Sequence, residues 1–152
     1  MGSWARSTTQ AALARLLAND GRFVVAVELS LDVSSIDLSQ FGLVQKEFKP
    51  DVCLYTKKKR VEPGDDILKM SEMPELAVEI LSPEQNISEL SKKRLAYFAL
   101  DVKSYWLVLP VNETITVYSA PNRFKAFGSD TEVVDKVMDI RLPIQEIFEF
   151  EW

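Results

Sequence analysis

Two carboxylates are the residues of this sequence best suited to chemistry. Asp51 follows Pro50 at the entrance of one apolar stretch, and Glu79 lies between Val78 and Ile80 in another. Removing an ionised carboxylate from water is costly, so Glu79 must be paired, protonated, at the open end of a strand or bound to a cation. The two acids are 79 − 51 = 28 positions apart. If their strands are neighbours, both can bind one hard divalent ion such as Mg²⁺. A salt-bridged structural acid is the competing interpretation of Glu79.

A lysine on a predicted helix completes this candidate site. Helical spacing places Glu89, Lys93 and Tyr97 on one face, opposite Leu95 and Phe98, so Lys93 is available to a cleft. A bound Mg²⁺ polarises a phosphoryl group and lowers the pKa of a bound water, while a nearby lysine stabilises negative charge or orients the nucleophile. The residues therefore suit phosphodiester hydrolysis.

The composition narrows the chemistry further. The 152 residues contain no histidine and a single cysteine, Cys53. This excludes a zinc finger, a histidine-based triad, a Cys/His pair and an internal disulfide. Because no histidine can activate it, Cys53 is interpreted as a small core residue rather than a nucleophile. Carboxylates, lysines, hydroxyls and the backbone remain as the groups that can carry a reaction.

The charge balance limits how the chain can bind nucleic acid. Its 23 acidic and 18 basic residues give a formal net charge of −5, so affinity for phosphate must come from a local basic patch. Two runs qualify, Lys57-Lys58-Lys59-Arg60 after the Asp51 strand and Lys92-Lys93-Arg94 on the helix. Charge runs are usually solvated. A solvated loop is therefore the competing interpretation of the first run. For the second run, the competing interpretation is that Lys92 and Arg94 only pair with Glu89 or contact solvent.

Two helices are predicted from capping signals and apolar spacing. A capping box at Ser7–Gln10 predicts a helix that ends near Asn19. A second helix starts at Ser82 or at Asn86 and runs to about Leu100. Its inward-packing residues are predicted to be Leu95, Phe98 and Ala99.

Apolar and β-branched runs predict the strands that position the acids. The predicted strands are 22–31, with Glu28 on its less apolar face, 52–55, 75–81, 105–109, 114–118 and an edge at 124–127, and a terminal helix is predicted over 142–150. This order indicates an α/β fold of the mixed α+β kind, in which a central mixed β-sheet is flanked by α-helices. We expect one domain over residues 1–152, with residues 1–6 either an expression tag or disordered. No membrane span or signal peptide is predicted, so a cytoplasmic location is expected.

An ordered set of motifs resembles a known family. The segments KPDVCLY, PELAVEILSP, YWLVLP and TITVYS, with a helix carrying Lys93 and Tyr97, are similar to the Uma-type family of restriction-endonuclease-like proteins, within the PD-(D/E)xK nuclease superfamily. The similarity spans about residues 22–119, and the later LPIQEIF also resembles the group. It implies a restriction-endonuclease-like core and a metal-dependent nuclease that uses Mg²⁺ or Mn²⁺, acts on DNA and forms a homodimer.

The resemblance also implies residue roles. Asp51 matches the aspartate of the Pro-Asp motif and Glu79 the acid of the second motif. Leu81 stands where the second motif usually has its lysine, and Lys93 is the matching position for that lysine on the following helix. Glu28 is a weaker candidate for an additional upstream acid and metal ligand. Lys57, Lys58, Lys59, Arg60 and Lys92 are candidate contacts to nucleic acid.

Departures from the family pattern keep other functions open. A Glu-Leu-x-x-Gly segment before the first helix is missing, and Asp101 replaces a usual glycine after the second helix. One alternative is a catalytically degenerate nuclease fold that binds nucleic acid or protein. Another is a structural subunit in which Glu79 forms an internal salt bridge with Lys93.

Overall fold

The structure, a computed structural model, describes residues 3–44, 47–82 and 85–148. Its α-helices are α1 (Trp4–Asn19) and α2 (Ile87–Ala99). Its strands are β1 (Val24–Val27), β2 (Val52–Tyr55), β3 (Leu76–Ile80), β4 (Ser104–Leu109), β5 (Thr114–Ala120), β6 (Arg123–Phe127), β7 (Glu132–Asp135) and β8 (Ile140–Pro143). Short 3₁₀ helices cover Leu38–Phe41, Pro110–Asn112 and Ile144–Glu146.

The six strands β1 to β6 form one mixed sheet in sequence order. Only β3 and β4 pair in parallel, and the other neighbours are antiparallel. Because a parallel pair needs a long crossover, α2 connects the end of β3 to the start of β4. Strands β7 and β8 form a separate hairpin. The predicted mixed sheet flanked by helices is confirmed.

Each face of the sheet covers its own apolar core. On one face, strand residues such as Val52 and Val78 pack with Leu13 and Leu17 of α1 and with the β7–β8 hairpin. On the other face, Cys53 and its neighbours pack with α2 and with the segment between β1 and β2. Among the described residues, no helix has the length and apolar character needed to cross a membrane.

The first helix begins earlier than predicted. Ser3 is its N-cap, and its side chain accepts a hydrogen bond from the backbone N–H of Arg6 at 3.1 Å. The predicted capping box at Ser7–Gln10 is wrong, because Ser7 lies inside α1. The hydroxyl of Thr8 donates back to the carbonyl of Trp4 at 2.9 Å, as such residues do within a helix. Polar residues in the first two turns of the helix therefore gave a false start signal.

The first strand is shorter than predicted. It ends at Val27, and Glu28 has a φ of +51°, which interrupts the extended backbone. Beyond it, Leu31 makes isolated bridges to Phe48 and Met70. The apolar residues after Glu28 are therefore buried by a loop and not by a longer strand.

The second helix starts at the later of its two predicted caps. The side chain of Asn86 accepts a hydrogen bond from the backbone N–H of Ser88 at 2.8 Å. Gln85 does accept from the N–H of Ser82, at 2.9 Å, but ahead of the helix. The buried residues of α2 are Leu90, Ala96 and Tyr97.

The predicted inward face of α2 is only partly confirmed, since Phe98 is half-buried and packs against the core on the α2 side of the sheet. Ala99 is exposed, whereas Tyr97 is fully buried. The helix turns its Lys93 and Tyr97 face toward the sheet, where the Tyr97 hydroxyl finds an acceptor. A partner inside the molecule removes the usual cost of burying that hydroxyl.

The predicted terminal helix is also wrong. Residues 140–143 are β8, and only Ile144–Glu146 form a short 3₁₀ turn. Residues 149 and 150 of the prediction lie outside the described residues. The difference arises because β8 pairs with β7, a strand that was not predicted.

Candidate functional site

Strand register places three acids at one end of the sheet. Val52 of β2 pairs with Val27 of β1 and with Val78 of β3. The next positions outward along these strands are Glu28, Asp51 and Glu79. Cys53 and Ala77, two residues further in, form a pair that contributes to the α2-side core. Since side chains alternate along a strand, Asp51 and Glu79 share that face.

Asp51 is held by donors from both neighbouring elements. It is 3% exposed, and its Oδ2 accepts from the backbone N–H of Ile80 at 2.6 Å. Its Oδ1 accepts from Nη2 of Arg6, with which it forms an ion pair. The Asp51 carbonyl accepts from Nε2 of Gln10 at 2.9 Å. Two α1 side chains, four residues apart and so on one helix face, reach this strand end.

Glu79 is buried against α2. It is 4% exposed, and its Oε1 accepts from the hydroxyl of Tyr97 at 2.9 Å. Burial raises the pKa of Glu79, while the charge of Lys93, the Tyr97 hydrogen bond and the charge of Arg6 oppose that rise. Burial, followed by the nearby charge of Glu79, raises the pKa of Tyr97 well above its ordinary value. Tyr97 is therefore a fixed hydrogen-bond donor to Glu79 at neutral pH.

Lys93 supplies positive charge near Glu79. It is half-buried on α2, and its Nζ lies 5.5 Å from the centroid of the Phe48 ring. Its charge acts on Glu79. Within residues 3–44, 47–82 and 85–148, no direct ion pair joins Lys93 to Glu79. The alternative in which a structural Glu79 forms an internal salt bridge with Lys93 is therefore wrong for the described residues.

Glu28 lies beside the two buried acids without joining them. It is exposed, and its Oε2 accepts a 3.3 Å hydrogen bond from the same Gln10 amide that binds the Asp51 carbonyl. In the described part of the chain, no group of three or more acidic or cysteine side chains is arranged to hold a metal ion. The structure thus brings Asp51 and Glu79 together as a pair, and leaves Glu28 outside a three-acid group.

The first basic run lies away from the two acids. Asp51 precedes β2 and Lys57 lies beyond its other end, and the four-residue strand between them alone spans about 13 Å at ~3.3 Å per residue. Within the run, Lys59 forms an ion pair with Glu72 and places its Nζ 5.0 Å from the centroid of the Tyr55 ring. Lys57, Lys58, Lys59 and Arg60 therefore belong to the opposite end of β2.

The second basic run, residues 92–94, lies closer to the paired acids, but two of its side chains make other contacts. The Lys92 side chain packs against Gly42, so a Cβ added to this glycine would lie 3.5 Å from Lys92 Cε. The guanidinium carbon of Arg94 is 4.4 Å from the centroid of the Tyr118 ring, and Arg94 Nε donates to the carbonyl of Pro121 at 3.2 Å. Of the three, Lys93 is the cation whose charge reaches Glu79.

Arg6 and Gln10 are the site residues that the sequence analysis missed. Residues 1–6 were set aside as tag or disordered chain, but Arg6 lies in α1 and binds Asp51. Their spacing of four residues is the signal that could have paired them on one helix face. Nothing in that spacing indicates which strand end they reach.

Comparison with known proteins agrees with this architecture. The family model Uma2, described as “Putative restriction endonuclease”, matches residues 2–144. A crystal structure from Anabaena variabilis, described as a “putative nuclease belonging to DUF820”, matches with a TM-score of 0.77 and 20% sequence identity. The match covers 97% of this chain and 82% of that one. No curated protein matches the sequence. The structural match shows the fold, and the family match confirms the resemblance found in the sequence.

Proposed function

Since the chain belongs to the Uma2 family, we propose that it is a metal-dependent nuclease that hydrolyses phosphodiester bonds, with Mg²⁺ or Mn²⁺ held by Asp51 and Glu79. The observation that carries the proposal is the pairing of two buried carboxylates on one face at the end of adjacent strands. Burying an ionised carboxylate costs free energy, so two buried acids at one strand end are what a functional site would retain.

The donor set fits a hard divalent ion. Mg²⁺ is bound in proteins by one or two carboxylates, keeps several waters and accepts phosphate oxygens from the substrate. Asp51 and Glu79 supply two such carboxylates, and both are fixed by further hydrogen bonds, from Ile80 N–H and the Tyr97 hydroxyl. Hydrogen bonds of this kind orient metal-binding side chains. When bound, the ion polarises a phosphoryl group and lowers the pKa of a bound water.

The chain's own residues have distinct roles in this proposal. Lys93, whose charge reaches Glu79, stabilises negative charge on the phosphate. Tyr97 keeps the Glu79 carboxylate oriented, because its hydroxyl stays protonated. Ile80 holds the second oxygen of Asp51 in place. Since no histidine is present, these roles fall to carboxylate, lysine and phenol groups.

DNA is the substrate we propose, in line with the family resemblance. The net charge of −5 means that binding depends on local cations. Besides Arg6, which pairs with Asp51, Lys93 is the cation whose charge acts on Glu79, and Lys92 lies on the same helix. Lys57 to Arg60 contact nucleic acid only if it extends to the other end of β2. The homodimer and the cytoplasmic location stay predictions.

Metal-dependent nicking of supercoiled plasmid tests the proposal. We expect the wild-type chain to nick DNA with Mg²⁺ or Mn²⁺ and to lose this activity in EDTA. Asp51→Asn and Glu79→Gln should each lower the rate by about 100-fold or more, as loss of one transition-state-stabilising group does. Asp130→Asn makes a matched change at an exposed position and should cleave like wild type. Equal rates for wild type and both site variants would contradict the proposal.

A catalytically degenerate binding module is the second candidate. Leu81 occupies the position at which the second motif usually has its lysine, and Arg6 already pairs with Asp51. This candidate predicts DNA binding without cleavage above the Asp51→Asn background. Fluorescence anisotropy with a labelled duplex, run beside the nicking assay, distinguishes the two candidates.

A further inference from the structure

The guanidinium of Arg6 occupies the carboxylate that the proposed metal needs. Arg6 lies in the first turns of α1, and its Nη2 forms an ion pair with Oδ1 of Asp51. The Arg6 side chain is 18% exposed and that of Asp51 is 4% exposed. This is a largely buried contact, and its partners are 45 residues apart in sequence.

The two donors on Asp51 differ in their freedom to move. The Ile80 N–H, which donates to Oδ2 at 2.6 Å, belongs to the central strand β3 and is fixed by the sheet. Arg6 reaches Oδ1 through a long side chain with several rotatable bonds and partial exposure. A divalent ion bound at Oδ1 would lie next to the guanidinium, and the two positive charges would repel each other. The guanidinium is therefore the group that has to leave.

The charges around the two acids lead to the same conclusion. Asp51 and Glu79 carry two negative charges when ionised, and Arg6 and Lys93 carry two positive charges, so these four groups sum to zero. The charges of both Arg6 and Lys93 act on Glu79. Without Arg6, the remaining three groups would sum to a net charge of −1, which favours binding of a divalent cation.

We propose that Arg6 is a built-in counter-cation that competes with the divalent ion for Asp51, so that metal binding requires its guanidinium to move off the carboxylate. This inference rests on the proposed metal site and adds a control on its occupancy. Arg6 is a positioning residue here, since it acts on the metal through Asp51. Removing it should tighten metal binding, whereas removing a residue that supports the site should weaken binding.

Mn²⁺ binding tests the inference without any activity measurement. Free Mn²⁺ is quantified by its EPR signal at pH 8, where ionised carboxylates are favoured. We expect Arg6→Gln to lower the dissociation constant by about tenfold, a difference of ~1.4 kcal/mol. Arg6→Lys, which keeps the charge, should stay closer to wild type. Arg123→Gln removes an exposed arginine from the far edge strand β6 and should leave binding unchanged.

A measurement on the wild-type chain covers the case in which Arg6→Gln does not fold. Titration with diamagnetic Mg²⁺ is followed by ¹H–¹⁵N NMR of arginine Nε–H groups, with the Arg6 signal assigned by its absence in Arg6→Lys. We expect that signal to shift toward the position of a solvent-exposed arginine as the metal binds. An Arg6 signal that does not change while Mg²⁺ binds overturns the inference.

The remaining outcomes separate this inference from the proposed function. Equal or weaker Mn²⁺ binding by folded Arg6→Gln, with binding still abolished by Asp51→Asn, overturns the role of Arg6 and leaves the metal site standing. If Arg6→Gln binds Mn²⁺ and wild type does not, the inference is supported, because Arg6 then keeps the ion off Asp51 in the wild-type protein. Absence of binding by wild type and Arg6→Gln overturns the metal site, and the competition at Asp51 with it.

Discussion

Glu79 is the residue at which burial and charge conflict most directly. It is 4% exposed and has one direct side-chain donor, Tyr97, with the charges of Lys93 and Arg6 nearby. Because burial still raises its pKa, the folded protein binds the Glu79 proton more tightly than the unfolded chain does. The stabilising contribution of protonated Glu79 is fully present below the unfolded pKa, near 4.5, and is lost as pH rises through the folded pKa.

Glu79→Gln should therefore stabilise the metal-free protein at pH 8. Glutamine is neutral and its oxygen can still accept from Tyr97, so the cost of burying a charge disappears. We expect the free energy of unfolding to rise by on the order of 1 kcal/mol at pH 8. The gain should shrink toward zero as pH falls to about 4.5. Urea unfolding followed by circular dichroism at several pH values measures this difference.

Glu62→Gln is the matched control for this experiment, because it removes a carboxylate from an exposed loop position. A destabilised Glu79→Gln protein at pH 8 would mean that the ionised carboxylate is better accommodated than its burial suggests. Together with loss of nicking activity, the expected gain in stability would show that Glu79 is kept for function at a cost to the fold.

The candidate acids could be found from sequence because they break a local pattern. Glu79 interrupts an apolar strand, and Asp51 follows a proline at the start of another. Arg6 could not be found in this way. It lies in an ordinary helical turn, and only the packing of α1 against the sheet brings its side chain to Asp51.

At the scale of elements, the cap of α2 sets where the helix that carries Lys93 and Tyr97 begins. The Asn86 side chain accepts from the Ser88 N–H at 2.8 Å. Asn86→Ala should cost about 1 kcal/mol of unfolding free energy, since it leaves a helix N–H without its partner. Urea unfolding measures it. Ser7→Ala, at the predicted cap that lies inside α1, should be nearly neutral, and an equal cost for both would contradict the assignment of caps.

Strands with apolar runs were predictable, whereas polar faces were not. Strands β2 to β5 follow such runs closely. Tyr97 was expected on the cleft-facing side of α2, under the rule that apolar residues such as Leu95 and Phe98 face the core, but it is fully buried. A functional site reverses that rule by giving buried polar groups partners, here the Glu79 carboxylate for Tyr97.

The β7–β8 hairpin escaped prediction for a related reason. Its strands are four residues each, and β7 is split between exposed and buried positions. Asp135, at the end of β7, is 1% exposed. The burial of this acid is explained by its partners on β4, the Ser104 hydroxyl and the Trp106 N–H, which the sequence does not reveal.

At the scale of the whole molecule, the fold separates the candidate site from this third buried acid, Asp135. Asp135 accepts from the Ser104 hydroxyl, from Trp106 Nε1 at 2.8 Å and from the Met138 N–H at 3.0 Å. Ser104 pairs with Leu76, at the opposite end of β3 from Glu79. Trp106 belongs to the α1-side core. One carboxylate thus ties the hairpin to the sheet far from the paired acids.

Asp135→Ala should test whether stability and site occupancy are separable. The substitution leaves the Trp106 and Met138 N–H groups without their acceptor, while the Ser104 hydroxyl can still donate to the Tyr118 carbonyl at 3.3 Å. We therefore expect a loss of about 3 kcal/mol in unfolding free energy, measured by urea with tryptophan fluorescence. Asp65→Ala, on an exposed loop, should change it by less than about 0.5 kcal/mol. Below the unfolding transition, Asp135→Ala should bind Mn²⁺ with the wild-type dissociation constant, because no ligand of the proposed site has changed. A variant that stays folded but binds Mn²⁺ much more weakly would show that the hairpin also holds the paired acids in place. It would do so through β4, which pairs with the Glu79 strand β3.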